Sequence, residues 1–205
     1  MTIAVSARPL QLRFLSSATR ASQLPDSDAE VAFVGRSNVG KSSLINALAN
    51  QKQLARVSNT PGRTQLINIF RHDGGGTLVD LPGYGYAKVP GDMRNHWREL
   101  LTRYVETRTS LAGMVIVMDA RRPLTDYDWI MLEWVRENSI AVHLLITKAD
   151  KLNRGEQNLT LKDVRARTAG FATAQLFSAV DKTGVDDARR HTLRILAREP
   201  ERLDP

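Results

Sequence analysis

The segment that most limits how this 205-residue chain can fold is residues 35–43, Gly-Arg-Ser-Asn-Val-Gly-Lys-Ser-Ser. It follows the apolar run Val31–Val34 and precedes Leu44–Leu48, which predicts a strand, a turn and a helix in that order. Gly35 and Gly40 allow backbone conformations that a Cβ would block, so successive N–H groups can point at phosphate oxygens. The start of the helix adds its positive dipole end. The segment is therefore predicted to be a phosphate-binding loop.

Two side chains of this loop have predicted roles of their own. Lys41 can reach the β- and γ-phosphates as a point charge, and the Ser42 hydroxyl is placed to ligate Mg²⁺. We therefore expect a nucleotide to be bound by Gly35, Arg36, Ser37, Asn38, Val39, Gly40, Lys41 and Ser42.

Composition narrows the class of protein. Hydrophobic residues make up 42% of the chain, enough for a core, and no apolar run is long enough to span a bilayer. Cysteine is absent, which excludes disulfides and thiolate catalysis and permits a reducing compartment; we expect a cytoplasmic protein. The four histidines show no ligand spacing, and His143, inside an apolar run, is interpreted as a strand residue with satisfied hydrogen bonds. Mg²⁺ is the expected metal.

The net charge of +7 favours a polyanionic partner such as RNA, although a basic surface can also serve solubility alone. Arginines concentrate in two predicted helices, and either set could face phosphates: Arg94, Arg98, Arg103 and Arg108 in one, and Arg189, Arg190, Arg194 and Arg198 in the other.

Six apolar runs of strand length recur along the chain, and from the third onward they alternate with helical patterns. This predicts an α/β P-loop NTPase fold, with a mainly parallel six-stranded sheet, one antiparallel edge strand and helices on both faces. The short turn His72–Gly76 predicts an antiparallel hairpin at the sheet edge. The runs are Val31–Val34, Leu66–Phe70, Thr77–Val79, Met114–Met118, Val142–Ile146 and Gln175–Phe177.

The predicted domain covers residues 29–198, with a lead-in at 1–28 and a tail at 199–205. The first 25 residues contain three arginines and no acid, which superficially fits a mitochondrial transit peptide. The apolar residues Leu12–Leu15 instead suggest that part of the lead-in forms an edge of the domain. Between Asp126 and the next predicted strand, Tyr127, Ile130, Met131 and Trp134 recur at helical spacing and predict a core-facing stripe.

Polar segments follow two of the predicted strands. Asp80-Leu81-Pro82-Gly83 closes the strand Thr77–Val79 at the end where open α/β sheets place ligands. Asp80 would hold Mg²⁺ through water, and the Gly83 amide would meet the γ-phosphate. Thr147-Lys148-Ala149-Asp150 ends another buried strand. Asp150 can accept from both N1–H and the exocyclic amine of guanine, which favours GTP over ATP.

Other segments complete the predicted site. Lys148 would lie over the base, and Ser178 and Ala179, just after Phe177, could supply amides to the guanine O6. The loop 57–65 lies where a nucleotide-sensing switch belongs, and either Thr60 or Thr64 could ligate Mg²⁺ there. Position alone does not choose between the two threonines.

Four motifs together resemble the bacterial EngB (YihA/YsxC) GTPases of the TrmE–Era–EngA–EngB–septin group. They are Gly-Arg-Ser-Asn-Val-Gly-Lys-Ser-Ser, Thr-Pro-Gly-Arg-Thr-Gln, Asp-Leu-Pro-Gly-Tyr-Gly-Tyr-Ala and Thr-Lys-Ala-Asp. The resemblance implies that Thr64 is the switch ligand of Mg²⁺, and that the nucleotide is also contacted by Gly62, Arg63, Thr64, Gln65 and Leu66. It further implies a part in large-subunit ribosome assembly, in contact with the subunit or its rRNA, and in normal septation.

Two positions depart from general GTPase patterns. Thr147 stands where many GTPases have Asn, and Tyr84 stands where Ras-like enzymes have a water-orienting Gln. We therefore expect slow intrinsic hydrolysis with Lys41, Thr64 and Gly83 as the catalytic groups. Asn38 suggests K⁺ assistance, because related GTPases use an Asn at this loop position to help bind K⁺.

The expected protein is a monomeric GTP-dependent switch that binds GTP, GDP and Mg²⁺. Two other functions stay open at this point. One is a GTP-regulated cell-division interaction protein that does not act on ribosomes. The other is a phosphotransferase acting on a small acceptor, against which Asp150 and the switch threonines argue.

Overall fold

The structure, a computed structural model, describes residues 8–55, 66–84 and 90–199, and for residues 90–98 it describes the backbone. Seven strands and five α-helices lie in these ranges. In chain order they are β1 (Leu12–Ala18), β2 (Glu30–Gly35), α1 (Lys41–Ala49), β3 (Ile67–His72), β4 (Thr77–Asp80), α2 (Pro90–Thr107), β5 (Leu111–Asp119), α3 (Asp126–Glu137), β6 (Val142–Thr147), α4 (Arg154–Arg167), β7 (Thr173–Leu176) and α5 (Val185–Leu196).

One sheet joins all seven strands in the order β1-β3-β4-β2-β5-β6-β7. The neighbours from β4 to β7 pair in parallel, whereas β3 runs antiparallel to both β1 and β4. The predicted α/β class and mainly parallel sheet are confirmed. The predicted number of six strands is wrong, because β1 adds a seventh and places the β3–β4 hairpin one strand in from the edge. Only Leu12 and Ala18 of β1 are buried, so its pattern is weak.

Helices cover both faces of the sheet, as predicted. Along β2, Val31 and Phe33 pack with α1 and α5, while Ala32 and Val34 pack with α2, α3 and α4. Every residue of β2 is buried, which is the pattern of a central parallel strand. The alternation places β2 in the middle of the domain, with its carboxyl end leading directly into residues 36–40.

Only part of the core-facing stripe predicted for α3 is fully buried. Met131 and Trp134 are buried in the core, and Tyr127 packs against it half-buried. Ile130 is also half-buried. Among the described residues, no helix is both long and apolar enough to cross a membrane.

A buried ion pair fixes the end of α2. Arg108, just past the helix, pairs with Glu30 at the start of β2, and the Tyr104 hydroxyl donates to the same carboxylate at 2.8 Å. The Arg108 guanidinium also donates to the carbonyl of Pro25 at 2.7 Å. The expectation that Arg108 could face phosphates is therefore wrong, because its side chain is 8% exposed and faces a carboxylate.

The expectation that Arg189 could face phosphates is also wrong. It is buried against α1, where its guanidinium donates to the carbonyl oxygens of Leu48 and Ala47 at 3.0 Å each. A cation at the carboxyl end of a helix is favoured by the helix dipole. Arg189 therefore joins α5 to α1.

We predict that Arg108→Met destabilises the protein by about 3–5 kcal/mol, because the substitution leaves the Glu30 carboxylate buried without its cation. Arg103→Ala is the matched control. Arg103 pairs with Glu99 on the surface at 2.7 Å, and such pairs contribute about 0.3–0.5 kcal/mol. Urea unfolding of the two variants measures the difference, and equal losses would contradict a structural role for Arg108.

The histidine of β6 makes hydrogen bonds through both ring nitrogens, as predicted for a strand residue. His143 Nδ1 lies 2.7 Å from Thr173 Oγ1, and Nε2 lies 3.1 Å from Gln175 Oε1. The ring stacks on His191 of α5 with centroids 4.0 Å apart. Burial, together with the neighbouring His191, lowers the pKa of His143 to about 3.

This pKa predicts that stability falls as the pH falls. The unfolded chain takes up a proton at His143 below about pH 6.5, whereas the folded chain does so only near pH 3. Each pH unit inside that window then lowers the unfolding free energy by up to about 1.4 kcal/mol. Urea unfolding at pH 6.5 and pH 5 should show a steeper loss for the wild-type protein than for His143→Leu. Identical pH slopes would mean that His143 does not titrate on unfolding.

Candidate nucleotide-binding site

The predicted phosphate loop connects β2 to α1. β2 ends at Gly35, and α1 begins at Lys41 after Gly40, whose φ of 104° is in the left-handed region. A Cβ at Gly35 would lie 2.6 Å from the Val117 carbonyl oxygen, so only glycine fits where β2 passes β5. Asn38 is also left-handed, with φ 62°. The sequence therefore folds into the strand, turn and helix that a phosphate site requires.

Residues at the end of β6 are hydrogen-bonded to this loop. Thr147 Oγ1 lies 2.6 Å from the carbonyl oxygen of Val39 and 2.8 Å from that of Met118. Lys148, with φ 60°, extends over the loop and donates from Nζ to the Asn38 carbonyl oxygen at 2.8 Å. Thr147 and Lys148 thus connect the loop to the strand end predicted to read the base.

The end of β4 meets the loop on another side. The Lys41 ammonium forms an ion pair with the Asp80 carboxylate, and the two side chains are 11% and 5% exposed. Ser42 follows in the first turn of α1. A hydroxyl and a carboxylate beside a phosphate loop are the hard oxygen donors that Mg²⁺ takes, so these residues fit the ion. Leu81 and Pro82 are buried and continue the segment to Gly83.

Gly83 lies directly against the phosphate loop. A Cβ there would be 3.1 Å from Ser37 Oγ and 3.2 Å from the Ser37 backbone nitrogen. The next residue forms a parallel bridge with Arg36, in which Tyr84 N donates to the Gly35 carbonyl oxygen at 3.1 Å. Any side chain at this position would press against the phosphate loop.

The residues predicted to read the base come together at the ends of β6 and β7. Ala149 N donates to the Phe177 carbonyl oxygen at 3.1 Å, and Ser178 Oγ donates to Asp150 Oδ1 at 2.8 Å. The hydrogen bond from Ser178, against a smaller effect of burial, lowers the pKa of Asp150 and keeps it ionised. Ala179 follows, partly buried against the core.

Sequence reasoning missed Asp119, which ends β5. Its carboxylate accepts from Lys148 Nζ at 2.9 Å and from Arg121 at 2.7 Å. Burial opposes its ionisation, but the hydrogen bonds from Arg121 and Lys148 outweigh burial and hold its pKa well below the usual range. The missed signal was its position, since Asp119 ends a parallel strand as Asp80 does.

The side chain of Tyr84 is buried, with 4% exposure, and its hydroxyl donates to Asp128 Oδ1 at 2.6 Å. Tyr84, which stands where Ras-like enzymes have a water-orienting glutamine, therefore uses its hydroxyl to bind α3. Four predicted nucleotide contacts, Gly62, Arg63, Thr64 and Gln65, lie outside the described residues, as does Thr60. Leu66 is described and is 39% exposed just before β3.

A phosphate loop, an acidic strand end beside its lysine and a Thr-Lys-Ala-Asp base segment on this sheet define a P-loop GTPase. The family model described as "50S ribosome-binding GTPase" matches residues 30–148. A "Probable GTP-binding protein EngB" from Laribacter hongkongensis (strain HLHK9) is 53% identical over 177 residues, covering 84% of this chain and 80% of the relative. The chain belongs to the EngB family of GTP-binding proteins and is a GTPase, as its motifs predicted.

Further comparisons agree. A protein of the same name from Thiobacillus denitrificans (strain ATCC 25259 / T1) is 50% identical over 188 residues, covering 90% of this chain and 91% of the relative. The crystal structure of a probable GTP-binding protein EngB superposes with a TM-score of 0.66 at 20% identity, covering 82% of this chain and 99% of that chain. NFeoB from S. thermophilus, bound to GDP.AlF4⁻ and K⁺, gives a TM-score of 0.61 at 21% identity, covering 86% of this chain and 65% of that chain. Both structural likenesses concern the fold.

Proposed function

We propose that this GTPase is a slow guanine-nucleotide switch that assists assembly of the large ribosomal subunit in the cytoplasm and supports normal septation. The GTP-bound form binds the subunit or its rRNA as a monomer, and hydrolysis releases it. The observation that carries the proposal is the contact of the phosphate loop with the ends of both β4 and β6. The description of the matching family, "50S ribosome-binding GTPase", supports the choice of partner.

The chain's own groups account for phosphate binding and charge stabilisation. Lys41 and the loop amides would stabilise the negative charge that develops on the phosphates during hydrolysis. Ser42, Asp80 and Thr64 would hold Mg²⁺, which when bound neutralises phosphate charge. The Lys41–Asp80 ion pair keeps the ammonium at the loop and the carboxylate beside it. The Gly83 amide would sense the γ-phosphate because Gly83 packs against Ser37.

Guanine selection would come from Asp150. Its Oδ1 accepts from Ser178 and its Oδ2 lies 3.1 Å from Lys151 Nζ, so the carboxylate is oriented before a base arrives. Guanine offers two donors to such an acceptor, whereas adenine offers an acceptor at N1 and would leave it unpaired.

We predict that Asp150→Asn lowers GTP affinity by about 100-fold, because the amide places a donor against the guanine amine. Xanthosine triphosphate should then bind better than GTP, since its C2 carbonyl accepts from that donor. Asp163→Asn, which neutralises an exposed acid on α4 that pairs with Arg167, is the control and should change neither affinity. Titration with the two nucleotides tests this, and an unchanged GTP preference in Asp150→Asn would remove Asp150 from base selection.

We also propose that K⁺ assists hydrolysis through Asn38. Asn38 is exposed on the phosphate loop in a left-handed conformation, and its carbonyl is held by Lys148. K⁺ near the β- and γ-phosphates would supply positive charge in the place of an arginine finger. Tyr84 cannot orient the attacking water while its hydroxyl is bonded to Asp128, which is consistent with slow turnover without such help.

Single-turnover hydrolysis should be about tenfold or more faster in K⁺ than in Na⁺ at equal ionic strength. Asn38→Ala should reduce the ratio of the rate in K⁺ to the rate in Na⁺ towards one. Equal rates of the wild-type protein in the two salts would refute K⁺ assistance.

The proposed partner surface is α2, which follows the second switch, the segment from Tyr84 to Pro90. Arg94 and Arg98 lie on this helix, and Arg103 is exposed further along it. Arg108 and Arg189, whose side chains are buried, do not belong to any such surface. The net charge of +7 supports a polyanionic partner.

Cosedimentation with separated ribosomal subunits tests the proposed function. We expect binding to the large subunit with a non-hydrolysable GTP analogue but not with GDP, and weaker binding at higher salt. Arg94→Glu with Arg98→Glu should abolish this binding and spare GTP affinity. The matched control is Arg136→Glu with Lys162→Glu, which changes the net charge equally at exposed positions on α3 and α4.

An equal loss of subunit binding in both double variants would mean that the basic charge acts through non-specific electrostatic attraction. Equal binding with the GTP analogue and with GDP would favour the cell-division interaction protein over the ribosome-assembly switch.

A further inference from the structure

Tyr84 is held at three points, two of them on the phosphate loop. Its backbone nitrogen donates to the Gly35 carbonyl oxygen at 3.1 Å, and its carbonyl oxygen accepts from Ser37 N at 2.9 Å. The third point is the hydroxyl, which donates to Asp128 Oδ1 at 2.6 Å. The residue therefore spans the distance between the phosphate loop and α3.

The acceptor is itself fixed. Asp128 Oδ2 accepts from the Thr125 backbone nitrogen and from Thr125 Oγ1, both at 2.8 Å, which is the cap of α3. Tyr84 and Asp128 are 4% and 1% exposed, so water has little access to compete for the hydrogen bond. Burial, with the Asp128 charge, raises the pKa of Tyr84 well above its ordinary value, and the hydroxyl stays a donor.

Gly83, the residue before Tyr84, packs against the phosphate loop, and a Cβ added to it would be 3.1 Å from the Ser37 hydroxyl. Because glycine has no Cβ, its own backbone torsions are permissive, and the direction of its amide depends on how the neighbouring residues are held. Tyr84 holds the following peptide unit through its bonds to Gly35 and to Asp128. Loss of the anchor on α3 would let the Gly83 amide change direction relative to the phosphate loop.

We propose that the Tyr84–Asp128 hydrogen bond is a latch that positions the Gly83 amide for the γ-phosphate, which makes Tyr84 and Asp128 positioning residues for nucleotide discrimination. The inference rests on the proposed role of Gly83. It assigns to the residue in place of the Ras-like glutamine a role in orienting the backbone, and it links the γ-phosphate site to the cap of α3.

Tyr84→Phe tests the latch, since it keeps the ring and removes the hydroxyl. Affinity for the non-hydrolysable analogue GMPPNP should fall by about tenfold, while affinity for GDP should stay within about twofold. GDP has no γ-phosphate for the Gly83 amide to meet, so a misplaced amide affects only the triphosphate. Isothermal titration in Mg²⁺ measures both.

The chain offers a matched control in Tyr104→Phe. Tyr104 is also buried and donates to a buried carboxylate, Glu30, at 2.8 Å, but Glu30 begins β2, at the opposite end from the phosphate loop. Losing that hydroxyl should lower stability without changing the ratio of GMPPNP to GDP affinity. A merely structural effect would appear in both variants.

If Tyr84→Phe folds too poorly to titrate, Asp128→Asn provides the same test. Asn can still cap Thr125 but gives Tyr84 a weaker, neutral partner, so a smaller loss of the same sign is expected. An unchanged affinity ratio in a folded variant, or equal loss for GMPPNP and GDP, would overturn the latch.

Hydrogen exchange separates the latch from the proposed role of Gly83. In the wild-type protein, GMPPNP should protect the Gly83 amide more than GDP does. Without that difference, the γ-phosphate role and the latch both fail. If the wild-type protein shows the difference and Tyr84→Phe retains it in full, the latch alone fails.

Discussion

The site depends on parallel pairing, which brings the carboxyl ends of β2, β4, β5 and β6 to one edge of the sheet. Because each of these strands is buried, its last residue cannot shift along the sheet without moving the core. Asp80 reaches the phosphate loop from β4 and Thr147 from β6. Asp119, at the end of β5, holds Lys148, which is bonded to the Asn38 carbonyl oxygen. Tyr84 adds an isolated backbone bridge to the loop.

The motifs made the site predictable because each combines a local backbone requirement with a side chain at its end. Gly40 is needed for its left-handed φ and Gly35 for the close approach of β5, and Asp80 and Asp150 follow apolar runs of strand length. Such information is contained in consecutive residues. The fold class followed from the same runs, whose number and order leave few topologies.

What sequence could not supply depends on contacts between distant residues. In the sequence, Arg108 looks like one more basic residue of a helix. In the structure it is a core residue, because it pairs with Glu30, which lies 78 residues earlier in the chain. Leu12–Leu15 were expected at an edge of the domain, but not as a seventh strand, because the alternation of β1 is weak and its pairing partner, β3, follows only after α1. Asp128 had no apparent role until the fold placed it beside Tyr84, 44 residues away.

The anchored end of α2 has a mechanical consequence. The helix has 18 residues, so it is about 27 Å long, and Arg108 anchors its carboxyl end to Glu30. Such a helix behaves as a lever with its pivot at β2. By simple trigonometry on that length, a rotation of about 5° would move its far end by about 2 Å. The second switch leads into that far end at Pro90, so a rearrangement there would be transmitted along the helix as a rotation about the end anchored at β2.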